Sequence, residues 1–180
     1  MSQQLIAFLR AINVGGHTVK MDRLRDLFGQ MGFAHVETFI ASGNVIFTTP
    51  DTDFSALEQK IELTLREMLG YEVATFIRTP AELVAIGHSE PFPLADLQTE
   101  GHGLYVAFVK TDPPPPAEAR LQGFTTAIDA FQVRGREIYW LCRTKSSEST
   151  FSGAILEKSL GQSATLRNIT TIKKLAAKYG

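Results

Sequence analysis

The sequence predicts an α+β fold in two parts, a ferredoxin-like βαββαβ sandwich followed by a second, smaller α/β unit packed on it. Three observations carry this. Short apolar runs alternate with segments whose apolar residues recur at helical spacing. Over residues 1–79 the order of these elements is β-α-β-β-α-β, a split βαβ arrangement. The first strand is apolar on both faces, with Leu5, Ala7 and Leu9 on one and Ile6 and Phe8 on the other, so both faces need cover. Helices cover one face, and the second half of the chain is expected to cover the other.

Each element has its own signal. "LIAFLR" (5–10) is a strand that runs into a glycine-bearing loop. Met21, Leu24, Leu27, Phe28 and Met31 then repeat at helical spacing, with Gly32 as a natural stop. "HVETFI" (35–40) and "NVIFTT" (44–49) flank "ASG" and read as a hairpin. Asp53 can cap the second helix, and Ser55 with Glu58 offers an alternative capping box. Phe54, Leu57, Ile61, Leu65 and Met68 line its apolar face, and Gly70 ends it. "EVATFIR" (72–78) is the fourth strand, and the usual strand order for such a unit is 4-1-3-2.

"TPAE" (79–82) places threonine, proline and glutamate where a helix start wants them, so a short helix should run to about Ile86. Residues 80–103 combine this helix with a turn-rich connection, the expected domain boundary. Residues 104–180 form the second subdomain: a strand at 104–110, a helix at 117–124 led in by "DPPPP", a hairpin at 129–143 turning at Arg134-Gly135, a helix near 151–160 stopped by Gly161, and a last helix from Ile169 to Tyr179. The halves show similar βαββα patterns without a residue-level repeat.

Composition narrows the function classes. Of 180 residues, 44% are hydrophobic and 21% charged, an ordinary globular balance. Eighteen basic and 19 acidic residues give a net charge of −1, which disfavours a protein that tracks many phosphates of a nucleic acid. One cysteine, Cys142, excludes an internal disulfide and suits a reducing cytoplasm. The chain shows no signal-like start and no apolar run of membrane-spanning length, so a cytoplasmic protein without a membrane partner is expected. His17, His35, His88 and His102 are scattered, so no metal is expected. The sequence has neither G-x-x-x-x-G-K-[ST] nor G-x-G-x-x-G, and no cofactor is expected. Ser42 has no identifiable base, so no catalytic residue is assigned.

Two groups of residues suit a small anion. In the split βαβ arrangement the loop after the first strand and the 40–44 hairpin lie at the same end of the sheet. This gathers Arg10, Asn13, Gly15, Gly16, Ser42, Gly43 and Asn44 beside a helix start, where unpaired N–H groups point outward. The second group is "TLRNITTIKKL", with Arg167, the N-cap candidate Asn168, Thr171 and Lys173 at the start of the last helix. A shared pocket requires Arg10 and Arg167 to line one cavity. The alternative for each loop is purely structural: glycines that supply positive φ, and Ser and Asn side chains that bond their own backbone.

"LRAINVGG", "MDRLRDLFGQMGF", "VETFIASGNVIF" and "TLRNITTIKKL" resemble the bacterial family known as domain of unknown function 1697. The resemblance spans the chain and implies an α/β fold with a ferredoxin-like part. It implies no catalytic residue and no ligand. Typical members carry glycine at the position of Ala11, glutamine at Ala41, and tryptophan and asparagine at Ile169 and Thr170.

The leading expectation is thus binding of, or catalysis on, a small phosphate- or carboxylate-bearing ligand at these loops. The alternatives are RNA binding on the sheet, with Phe8 and Phe47 on adjacent strands as stacking platforms, and a protein-interaction module without a small ligand.

Overall fold

The computed structural model describes residues 1–180. The chain divides into two compact units, Met1–Leu83 with Tyr179–Gly180, and Val84–Lys178.

The first unit holds β1 (Gln3–Leu9), α1 (Met21–Gln30), β2 (Ala34–Thr38), β3 (Asn44–Thr49), α2 (Phe54–Leu69) and β4 (Thr75–Arg78), and α3 (Pro80–Gly87) begins in it. Its sheet has the order β2-β3-β1-β4, the expected 4-1-3-2 read from the other edge, with antiparallel neighbours throughout. Leu5, Ala7 and Leu9 pack with Leu24, Leu27 and Phe28 of α1 and with Leu57, Ile61 and Leu65 of α2. Ile6 and Phe8 face the other way and are also fully buried.

Local chemistry explains the helix ends. Asp53 accepts from the Ala56 amide at 3.0 Å, and Gly70 closes α2 in the left-handed region with φ +83°. The Thr79–Glu82 box is fully formed. Glu82 accepts from the Thr79 amide at 2.7 Å, and the Glu82 amide donates to the Thr79 hydroxyl at 3.1 Å. Two α2 residues depart from expectation. Met68 is 46% exposed, because the buried stripe continues at i+4 spacing through Leu57, Ile61 and Leu65 to the partly buried Leu69. Glu58 belongs to no capping box; its carboxylate is buried and accepts from the Ile77 amide at 2.9 Å, while Glu62 one turn on accepts from the Thr75 amide at 2.8 Å. These carboxylates satisfy outward N–H groups of β4, an edge strand.

The second unit contains α4 (Leu94–Gln98), β5 (Gly103–Phe108), α5 (Pro115–Gln122), β6 (Asp129–Arg134), β7 (Glu137–Cys142), a short 3₁₀ turn (Ser146–Glu148), α6 (Gly153–Leu160), β8 (Thr165–Asn168) and α7 (Ile169–Tyr179). Its sheet order is β6-β7-β5-β8, again with antiparallel neighbours. The segment Thr165–Asn168 was expected to be only the lead-in to a helix. It is a strand, paired with Tyr105–Phe108 of β5, and it completes a βαββαβ unit. The connection also carries α4, which the turn-rich composition did not announce. α5 begins two residues earlier than the expected 117, because Pro115 and Pro116 of the run open the helix rather than lead into it, and the β6–β7 hairpin turns through Gly135 at φ +61°. Trp140, Phe131 and Phe151 centre the apolar cluster of this unit. No helix in the chain is long and apolar enough to cross a membrane.

Ile61→Ala, at a fully buried position, should cost roughly 2–5 kcal/mol. Glu58→Ala should cost about 1–3 kcal/mol by leaving the Ile77 amide without its carboxylate. Chemical denaturation reads both, and a Glu58→Ala shift near zero would show that water replaces the carboxylate.

Candidate functional site

The first candidate corner is built by β1. Phe8 lies opposite Asn44 of β3, and Leu9 lies opposite Thr75 of β4. The chain leaving β1 therefore meets the residues ahead of both neighbours. The Leu9 amide donates to the Gly43 carbonyl and the Arg10 amide to the Ala74 carbonyl, each at 2.8 Å. Gly43, at φ +74°, sits so close to this loop that a Cβ there would lie 2.9 Å from Ile12 Cγ2 and 3.1 Å from Leu9 Cβ. Loop and hairpin are thus brought together as the topology predicts.

The side chains at this corner mostly serve the backbone. Asn13 Oδ1 accepts from the Val19 amide at 2.7 Å, which folds the loop back toward α1. Asn44 is fully buried, and its amide group donates to the Phe39 carbonyl at 3.0 Å and to the Ser42 hydroxyl at 2.8 Å. For Asn13, Ser42, Gly43 and Asn44 these are the contacts of the structural alternative. Tyr71, which no local pattern singled out, pins the same loop. Its hydroxyl donates to the Ile12 carbonyl at 2.8 Å, and its ring stacks on His17 with centroids 3.9 Å apart. Burial raises the Tyr71 phenol above its ordinary pKa, which keeps it a donor.

The tip of the loop is exposed, and within it the His17 amide donates to the Val14 carbonyl at 3.1 Å. Val14, Gly15, Gly16, His17 and Thr18 are exposed, with Gly15 at φ +64° and Gly16 at φ +84°. The loop leads into α1, whose N-cap Lys20 makes no side-chain cap. Two of the three non-glycine residues with positive φ also flank this corner, Ala11 at +55° and the β-branched Ile40 at +50°.

The second group lies in the other unit. Arg167 is buried in β8, and Nη1 donates to the Thr165 hydroxyl at 2.8 Å and to the Leu166 carbonyl at 2.9 Å. Burial lowers its pKa to about 10, which still leaves it charged at neutral pH. Asn168 Oδ1 accepts from the Thr170 amide at 2.8 Å and opens α7. Thr171 is half-buried, and exposed Lys173 lays its stem beside Gly87, where a Cβ would lie 3.6 Å from Lys173 Cγ.

The stacking platform expected for RNA does not exist in the form proposed. Phe47 pairs with Leu5, so it points into the helix-covered core, with its ring centroid 4.5 Å from that of Phe33 and 5.6 Å from that of Phe28. Phe8 points to the opposite face, and both residues are fully buried. Adjacency along the sheet was readable from the strand order. The register, which sets the face, was not.

A model of the family described as "Protein of unknown function (DUF1697)" matches residues 2–139. The chain belongs to this family. The match takes in the whole β1–α1 corner and the hairpin, and it ends within β7, so "TLRNITTIKKL" lies beyond it. Among solved structures, the chain is similar to a conserved bacterial protein, SP0830, from Streptococcus pneumoniae, at 19% identity and a TM-score of 0.74 over 99% of each chain. That likeness shows the shared α+β fold. No curated protein matches the chain.

Ala11 adopts a left-handed conformation, φ +55°, that glycine would hold without strain. Elsewhere, no group of three or more His, Cys, Asp or Glu side chains is arranged to hold a metal ion. Cys142 is buried, and burial raises its thiol pKa, which makes it a poor nucleophile. Buried Asp129 accepts from Trp140 Nε1 and from the Ser149 hydroxyl, each at 2.8 Å, and so ties the loop after β7 to its sheet.

Ala11→Gly should stabilise the protein by about 1 kcal/mol, because it relieves a left-handed alanine. Ile40→Gly should act in the same direction at the other side of the corner. A denaturation midpoint that falls in both variants would show that the side chains contribute more than the backbone strain costs.

Proposed function

We propose that the β1–α1 loop binds a small anion, a phosphate or carboxylate group of a metabolite. Its donors would be the backbone N–H groups around Gly15 and Gly16 and those of the first turn of α1. One observation carries this reading: α1 has no side-chain cap, a state it shares with the proline-led α4 and α5, whereas α2 is capped by Asp53 and α3 by the Thr79–Glu82 box. The uncapped end sits behind an exposed loop with two successive positive-φ glycines, pinned by Asn13 and Tyr71. Residues 9–20, "LRAINVGGHTVK", carry Arg10 and Lys20 and no carboxylate, and Asp22, the carboxylate in the first turn of α1, is paired with Arg25.

The backbone supplies fixed donors, and Arg10 and Lys20 supply charge. Ser42 and Asn44 support the corner through the hairpin rather than through direct contact with the anion. No nucleophile or acid–base pair accompanies these groups, so the reading is binding, without a reaction. A cytoplasmic setting, where Cys142 stays a thiol, goes with it.

Calorimetric titration with inorganic phosphate, pyrophosphate and citrate tests the proposal. At least one should bind, and Lys20→Glu should weaken it about tenfold or more, given that a hydrogen bond to a charged group contributes about 1.5–3 kcal/mol. Arg10→Ala should weaken it in the same direction. Binding indifferent to both substitutions would place the anion elsewhere, and no binding of any of the three would remove the reading.

A further inference from the structure

In the second unit, the chain from Ser89 to His102 is attached to the β6–β7 hairpin at both ends. At one end, Arg134 of β6 donates to the Ser89 hydroxyl at 2.6 Å and to the Glu90 carbonyl at 3.2 Å. The Arg134 guanidinium also lies over the Tyr139 ring, 5.8 Å from its centroid, and Ser89 hydrogen-bonds the Tyr139 hydroxyl. At the other end, Arg143 grips Asp96 with a fork, Nε to Oδ1 at 3.1 Å and Nη2 to Oδ2 at 2.9 Å. Tyr139 and Leu141 share one side of β7, because strand residues alternate, and Arg143 follows directly after the strand. The segment therefore follows that strand for about 13 Å, four residues at the usual rise.

What holds this segment differs from what holds the sheet. The helix within it, α4, contributes no buried residue, and Leu94 is 51% exposed. Its backbone bonds are short-range: Ser89 to Ile86, Asp96 and Leu97 to Pro93, and His102 to Thr99. The His102 ring nitrogen Nδ1 closes the same turn on the Asp96 carbonyl at 2.9 Å. Pro91 is the buried residue of the segment, and from α4 to His102 the Arg143 clip does what ladder bonds do for the strands.

We infer that residues 89–102 form a detachable strap, clipped onto the β6–β7 hairpin by Arg134 and Arg143, that opens without unfolding the sheet beneath it. Opening releases the Arg134 guanidinium on β6, the Tyr139 phenol on β7 and the Arg143 guanidinium just past β7 from the strap's own carboxylate, carbonyl and hydroxyl. The clip is electrostatic, so salt is its natural lever. Mild acid is not. The Arg143 guanidinium holds the Asp96 carboxyl below its usual pKa, and the clip is lost only as the pH falls through that lowered value. His102 Nδ1 lies 3.9 Å from Asp96 Oδ1 on the same turn.

Hydrogen exchange followed by mass spectrometry on the full chain tests this. In Arg143→Gln, amides across 94–102 should exchange at least about tenfold faster, with β5, β6, β7 and β8 unchanged. Raising sodium chloride to about 1 M, which shortens the screening length to about 3 Å, should speed the same amides in the wild type. Arg143→Lys, which keeps the charge and loses the fork, should fall between. If Arg143→Gln does not fold, Asp96→Asn reads the same clip from the strap side. Strap amides unaffected by loss of the clip, or strap and sheet amides accelerating together, would overturn the inference.

Discussion

β1 is hydrogen-bonded antiparallel to β3 on one side and to β4 on the other, and the candidate corner follows from that. With both neighbours running against it, the end of β1 faces the start of each. The loop that leaves β1 then has no choice but to meet the hairpin ahead of β3 and the turn ahead of β4. Gly43 is a consequence, because only a residue without Cβ fits between Leu9 and Ile12 at positive φ. Tyr71 is another, since the turn before β4 is where a long side chain can reach the Ile12 carbonyl. The strand must also be apolar throughout, because Leu5 to Leu9 are all fully buried.

Taken separately, the two units obey one pattern down to single residues. In each, a central first strand pairs with a hairpin strand and with an edge strand that follows the second helix. Arg78 lies opposite Ile6 and Arg167 opposite Val106, the fourth residue of each central strand. Each guanidinium folds back on the carbonyl before it, Arg78 on Ile77 at 2.8 Å and Arg167 on Leu166 at 2.9 Å. Three residues ahead of each arginine, the amide donates to a glutamate of the preceding helix, Thr75 to Glu62 at 2.8 Å and Ala164 to Glu157 at 2.9 Å. Phe47 and Trp140 likewise occupy matching places, opposite Leu5 and Tyr105. A buried arginine on an edge strand carries a desolvation cost, and carbonyl and hydroxyl oxygens offset it.

The sequence showed the first unit well because its signals are long and redundant. The α2 stripe runs over four turns between Asp53 and Gly70, and the hairpin has a compact "ASG" between two β-rich runs. It showed the second unit less well because β8 has four residues, one of them a charged arginine, directly followed by the α7 cap. Such a strand has too few residues for a period, and its threonine and asparagine read as helix-start residues. Register was the other blind spot. It decided that Phe8 and Phe47 face opposite ways, and that Glu58 serves β4 rather than its own helix. Tyr71 lies 59 residues from the carbonyl it holds, a contact that no local pattern encodes.

That the β1 loop and the hairpin meet was legible from the strand order, and the roles of their residues divide by what their polar atoms do. Asn13 and Asn44 spend their side chains on backbone partners, and Arg167 does the same inside β8. In the proposed reading, the donors are therefore what side-chain substitution does not remove: the N–H groups around Gly15 and Gly16 and those of the first turn of α1. Alanine at position 11 adds strain, at φ +55°, but deletes no backbone donor near Gly15, Gly16 or the start of α1. A site built from side chains would be vulnerable to such changes. One built from backbone, held by Asn13, Gly43 and Tyr71, depends instead on the residues that fix the loop's shape.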